Sequence, residues 1–130
     1  MRAPVGIVLV SHSAELVAGL RGLVAQIGSD DVSLATAGGT DDGRIGTSYD
    51  LVLAAIQQAD RGGGVVVLPD LGSSVLTALT VLEDHPRTDV VIVDAPFVEG
   101  AVAAVVTAAS GADLETVVKA AEEARNVPKL

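Results

Sequence analysis

Four short apolar runs punctuate the chain: Val5 to Val10 (VGIVLV), Val32 to Ala35 (VSLA), Gly64 to Leu68 (GVVVL) and Val90 to Val93 (VVIV). They lack the apolar/polar alternation of a strand with one wet face, which predicts strands buried on both sides. Between them, apolar residues recur at helical spacing. Leu16, Leu20, Leu23, Val24 and Ile27 form one stripe, ended by Gly28. Leu51, Val52, Ala55, Ile56 and Ala59 form a second, with Ser48 as its N-cap. A third stripe, Val75, Leu79 and Leu82, is capped in this reading by Ser73 or Ser74 and closes at His85-Pro86. Two more helices are predicted, one over Phe97 to Ala109 and one from Asp113, as N-cap, to Arg125, with Glu115 in its first turn.

Strand and helix alternating in this way dictate right-handed crossovers and a parallel sheet. The expected fold is therefore a doubly wound α/β domain spanning residues 1–130. Its mainly parallel four-stranded sheet runs in the order 2-1-3-4, with helices on both faces. Composition agrees. Of the residues 49% are apolar, yet Tyr49 and Phe97 are the only aromatics, so the core must be built from Val, Ala, Leu and Ile. A chain of 130 residues buries one such core but hardly two.

Charge narrows the function classes. A formal net charge of −9 leaves no basic stripe for nucleic acid or for an anionic membrane surface. No run is long and uncharged enough to span a bilayer, and the N-terminal MRAPVGIVLVSHS does not read as a secretory leader. With no cysteine there is no thiolate chemistry, and a cytoplasmic protein is expected.

In a 2-1-3-4 sheet the winding reverses between strands 1 and 3, and ligands bind at the carboxyl ends there. Ser11-His12-Ser13 follows the first strand. The loop AGGTDDGRIGTS, residues 37–48, follows the second, PDLGSS the third and Asp94-Ala95-Pro96 the fourth. His12 is one of two histidines and faces Asp70 across the switch point. A carboxylate on one ring nitrogen fixes the tautomer and frees the other nitrogen to react. A lone histidine at a strand end otherwise reads as a turn residue; its position opposite an acid selects it as functional. Backbone N–H groups of Gly38, Gly39 and Gly72, with the hydroxyls of Thr40, Thr47, Ser48 and of Ser73 or Ser74, are candidate ligands for an anion, the two serines reading equally as helix caps. His85, in LEDHPR, reads as a solvated connector. Asp41 and Asp42 lack the convergent partners of a hard-cation site, so no tightly bound metal or cofactor is expected. Glu99, within the small-residue stretch FVEGAVAAVVTAAS, marks a helix suited to close helix contact.

The segments GIVLVSHS, AGGTDDGRIGTS, LPDLGSS and VDAPFVEGA, in that order over residues 6–101, resemble the DhaM family. These are phosphotransferase subunits of phosphoenolpyruvate-dependent dihydroxyacetone kinases, and their first domain is similar to the EIIA domain of mannose-type sugar phosphotransferase systems. The resemblance implies that His12 carries a phosphoryl group transiently. It would be taken from the phosphocarrier HPr and passed to ADP held in DhaL, the regenerated ATP serving dihydroxyacetone bound in DhaK. Asp70 matches the aspartate that orients the active histidine, and the hydroxyls near Thr40 and Ser73 match positions lining the phosphate. A homodimer is implied too. Mannose-type EIIA domains carry an antiparallel edge strand after the fourth parallel one, where this chain predicts a helix, so no strand exchange between copies is expected. HPr-like and enzyme I-like extensions occur in some members and not here, so phosphoryl supply is expected from separate proteins. An EIIA subunit serving a sugar transporter, or a regulatory domain sensing phosphorylation, are the competing readings.

Overall fold

The structure is a computed structural model and describes residues 3–28 and 31–130. Four parallel strands, β1 (Gly6–Ser11), β2 (Ser33–Gly38), β3 (Val65–Pro69) and β4 (Val90–Ile92), lie in the order β2-β1-β3-β4. Strand number and order are as predicted, with boundaries shifted by up to three residues, but burial on both sides holds only for the central β1 and β3. The edge strands β2 and β4 have partly exposed residues because each has a neighbour on one side only. The helices are α1 (Ala14–Ile27), α2 (Tyr49–Ala59), α3 (Gly72–Asp84), α4 (Phe97–Ala109) and α5 (Leu114–Glu123), followed by a short 3-10 turn, Ala124–Asn126.

β1 and β3 are buried along their whole length, so their valines and leucines feed both faces of the sheet. Ile7, Leu9, Val66 and Leu68 point into one core layer, against Val17, Leu20 and Val24 of α1, Ala101, Ala104 and Val105 of α4, and Val117 and Ala121 of α5. Val8, Val10, Val65 and Val67 point into the other, against Val52, Ala55, Ile56 and Ala59 of α2 and Ala78 and Val81 of α3. Each fully buried Val or Leu contributes about 1.5–3 kcal/mol relative to exposure. α5 packs on the first layer, and no strand follows β4 among the described residues.

Small residues let these layers close. A Cβ on Gly6 would lie 2.1 Å from the carbonyl oxygen of Ala59, so α2 reaches β1 only over a glycine. At the same, amino-terminal, end of the sheet Arg87 bridges two elements. Its guanidinium donates to Asp60, the C-cap of α2, at 2.8 Å and to Asp89, just before β4, at 2.7 and 3.0 Å.

Two helix readings need correction. Leu16, Leu23 and Ile27 of the first stripe are about half exposed, and α1 buries Val17 in their place. In α3 the buried positions are Ser74, Ala78 and Val81, while Leu79 is exposed. Both helices carry apolar residues around much of their circumference, so spacing alone does not single out the packed face. The caps Ser48 and Asp113 are as predicted, accepting from the amides of Leu51 and Thr116. No helix among the described residues is long and apolar enough to cross a membrane.

Candidate active site

β1 and β3 pair in register to Val10 and Pro69, and the amide of Asp70 donates to the Val10 carbonyl at 3.0 Å. That ladder sets Ser11 and His12 directly against the Asp70 carboxylate. Oδ2 accepts from the Ser11 hydroxyl at 2.8 Å and from the His12 backbone amide at 3.1 Å. Oδ1 lies 2.9 Å from His12 Nδ1 and accepts from the Leu71 amide and the Ser74 hydroxyl, each at 2.7 Å. Burial alone would raise the carboxyl pKa; the bonds from Ser74, His12 and Ser11 outweigh it and bring Asp70 down to about 2. Asp70 is thus an anion at neutral pH, and among the described residues its one ionisable neighbour within bonding distance is the imidazole.

An anion at Nδ1 holds the ring proton there and leaves Nε2 with its lone pair. His12 Nε2 meets the Ser73 hydroxyl. The His12 side chain is 21% exposed. Ser13 is turned away, its hydroxyl capping α1 by accepting from the Leu16 amide at 3.1 Å.

α3 begins at Gly72, with Leu71 at the N-cap and no side chain satisfying its first-turn amides. Ser73 and Ser74 are therefore not caps, one of the two roles the sequence offers them; they lie inside the first turn and turn their hydroxyls toward His12. A helix start left uncapped presents unsatisfied N–H groups and a positive dipole end, and here it adjoins Nε2.

The loop after β2 contributes differently from expectation. Gly39 has φ +74°, and its amide donates to the Ser11 carbonyl at 3.1 Å; the Gly46 amide donates to the His12 carbonyl at 2.9 Å. These amides hold the backbone of residues 11–12 in place and are not free for an anion. Gly38 is required by packing, since a Cβ there would lie 2.4 Å from Val17 Cγ1. The Thr40 hydroxyl donates to Asp42 at 2.5 Å and accepts from the Arg44 amide at 3.0 Å, so it serves its own loop. Arg44 and Thr40 together hold the Asp42 carboxyl at about 2. The hydroxyl that does reach the site is Thr47, 3.3 Å from Ser73 Oγ and 3.2 Å from Ser74 Oγ. Of the predicted set, the structure brings together His12, Asp70, Thr47, Gly72, Ser73 and Ser74. Ser11 is the polar partner that the strand pattern hid, and Ser74, offered with Ser73 in the sequence, is fully buried like Ser11.

The surroundings are open. Ile45 and Leu71, in the two loops that flank His12, are 75% and 63% exposed. Among the described residues no three His, Cys, Asp or Glu side chains converge as metal ligands.

Comparison with known proteins bears on this geometry. Residues 6–118 match the mannose-type EIIA family model, described as the PTS system fructose IIA component. The chain is 41% identical over 105 residues to the phosphoryl donor subunit DhaM of dihydroxyacetone kinase 1 from Listeria innocua, covering 79% of this chain and 81% of that protein. The chain belongs to the DhaM family of EIIA-type domains. The DhaM phosphotransferase subunit of Lactococcus lactis is 34% identical over 112 residues, covering 86% of this chain and 89% of that one. DhaM of Escherichia coli is 41% identical over 120 residues, 88% of this chain but 25% of that longer protein. A crystal structure of a protein of unknown function superposes with a TM-score of 0.81 at 32% identity, covering all of this chain and 98% of the other.

Proposed function

We propose that this DhaM-family chain is the phosphoryl donor subunit of a phosphoenolpyruvate-dependent dihydroxyacetone kinase, with His12 as the carrier. The observation that carries the reading is the disposition of the ring, with Nδ1 held by the Asp70 carboxylate and Nε2 beside the uncapped start of α3. Phosphoryl transfer asks a protein for an in-line nucleophile and for donors to the equatorial oxygens, and for little else.

In the proposed step, the Nε2 lone pair attacks the phosphorus of a phosphohistidine on HPr. The P–N bond to Nε2 forms as the P–N bond to the donor breaks, and the leaving imidazole recovers its lone pair. The ring of His12 gains positive charge, which the Asp70 anion stabilises through the Nδ1 proton. The Ser73 hydroxyl turns from Nε2 to a phosphoryl oxygen, and the Gly72 and Ser73 amides face the remaining negative charge. Gly38 and Gly39 shape the loop that supports residues 11–12, and Thr40 stiffens it. Transfer to ADP in DhaL reverses the same geometry and returns the Ser73 bond. An open rim suits a site that two different proteins must reach in turn.

Incubation with phosphoenolpyruvate, enzyme I and HPr tests this directly. The expected result is an acid-labile phosphate adduct on the chain that is absent in His12→Ala; no adduct on the wild type removes the carrier reading. Adding DhaL with ADP, or a sugar-transporter EIIB domain, to the labelled chain identifies the acceptor, and drainage by EIIB alone refutes the kinase assignment. The homodimer of this reading is checked by the mass of the chain in solution.

A further inference from the structure

Ser74 lies fully buried in the first turn of α3, and its hydroxyl shares an acceptor with the His12 ring. Asp70 Oδ1, His12 Nδ1 and Ser74 Oγ form a triangle with sides of 2.9 Å (Oδ1 to Nδ1), 2.7 Å (Oδ1 to Oγ) and 3.2 Å (Nδ1 to Oγ). Behind Ser74, Thr47 Oγ1 is at 3.2 Å. Because the Ser74 proton goes to the carboxylate, the strongest acceptor in reach, the Thr47 hydroxyl is the donor to Ser74 Oγ. A hydroxyl that accepts one bond donates the next more strongly. The result is a neutral relay, Thr47 to Ser74 to Asp70, ending on the oxygen that supports the histidine.

Three donors, the Leu71 amide, the Ser74 hydroxyl and His12 Nδ1, share Asp70 Oδ1, and each takes part of its charge. The nearer the Ser74 proton draws that charge to itself, the less of it stabilises the positive ring of a phosphorylated His12. We propose that Ser74, backed by Thr47, is a positioning residue that weakens the Asp70 support of His12 and so keeps the phosphoryl group easy to release. The inference rests on the carrier reading and goes beyond it by assigning the transfer potential to a residue that touches neither phosphorus nor partner. A carrier has to pass its phosphate on, so an aspartate with undivided hold on the ring would retain it.

The test compares wild type, Ser74→Ala, Ser74→Thr and Thr47→Val as full chains, charged with phosphoenolpyruvate, enzyme I and HPr. The hydrogen bond at stake has the strength to shift the equilibrium about threefold to tenfold. Ser74→Ala is expected to hold its phosphate that much more tightly against HPr and to lose it to hydrolysis more slowly by a similar factor. Its Nδ1 proton resonance moves downfield as the bond to Asp70 strengthens. Ser74→Thr restores wild-type values, and Thr47→Val moves in the direction of Ser74→Ala by a smaller factor. Should Ser74→Ala not fold, Thr47→Val carries the same comparison. Equal retention in wild type and Ser74→Ala, or weaker retention in the variant, overturns the inference while the carrier reading stands. Failure of the wild type to take phosphate overturns the carrier reading instead.

Discussion

The two ends of the sheet each gather aspartates, and they neutralise them in opposite ways. At the amino-terminal end Asp60 and Asp89 share the Arg87 guanidinium, a full positive charge placed between two negative ones. At the carboxyl end Asp70 accepts from two hydroxyls, two backbone amides and an imidazole, with no permanent cation among its partners. An ion pair consumes the field of both members locally. A carboxylate held by neutral dipoles keeps its net charge, and the group free to exploit it is the titratable ring at Nδ1. The amino-terminal cluster is built to tie α2 to β4; the carboxyl cluster is built to act on a reactant.

The largest expected effect separates the ends by activity. Asp70→Asn offers one carbonyl oxygen to five donors and turns an amide toward groups that themselves donate. Phosphate uptake on His12 is expected to slow by about a hundredfold, in line with the loss of an oriented, charge-stabilised imidazole. Unsatisfied donors also cost about 1–3 kcal/mol of stability. Arg87→Ala leaves uptake within about twofold. Rapid-quench phosphotransfer on the two variants measures both rates, and a comparable loss in Arg87→Ala would dissolve the distinction between the ends.

The second effect separates them by stability. Arg87 bonds two carboxylates from elements far apart in sequence, and all three side chains are partly exposed. Each exposed pair contributes up to about 1 kcal/mol, so Arg87→Ala is expected to lower unfolding stability by about 1 kcal/mol in urea titration. No change would mean that strand packing alone docks the end of α2.

That division of labour was half legible in the sequence. Unbroken runs such as GIVLV and GVVVL can be satisfied only by a sheet covered on both sides, and from the sheet order follow the switch point, His12 and Asp70. What the sequence hid are choices made in three dimensions. α1 has leucines on two adjoining stripes, and it is the bare backbone of Gly38, 2.4 Å from Val17 Cγ1 once a Cβ is placed on it, that selects the stripe holding Val17. Glycines with positive φ at positions 39, 43 and 46 reverse the loop after β2, so Thr40 folds into the loop and Thr47 emerges beside α3. Both threonines are equally eligible as letters. Ser74 was readable as a helix cap, a role for which Ser is preferred; its burial against Asp70 depends on where β3 delivers α3.

The smallest effect lies in acid and salt. Asp70, at about 2, and Asp60 and Asp89, both lowered, have folded-state pKa values below the ordinary 3.8. For a lowered carboxyl the stabilisation is complete above the unfolded value and is lost as pH falls through the folded one. The Asp70 end therefore weakens as pH falls from about 4 to about 2, the Asp60 and Asp89 end also weakens as pH falls below the ordinary carboxylate range, and acid alone does not distinguish them. Salt does. At 1 M the screening length is about 3 Å, which erodes the attraction of partly exposed ion pairs and leaves hydrogen bonds from neutral donors to a buried carboxylate nearly intact. Urea unfolding of Asp89→Asn near neutral pH should differ from wild type in dilute buffer and converge with it in 1 M sodium chloride, whereas Asp70→Asn should differ by the same amount in both. If the Asp70 contribution instead collapses with salt, it rests on charge pairing like that of the other end, and the distinction drawn between the two clusters fails.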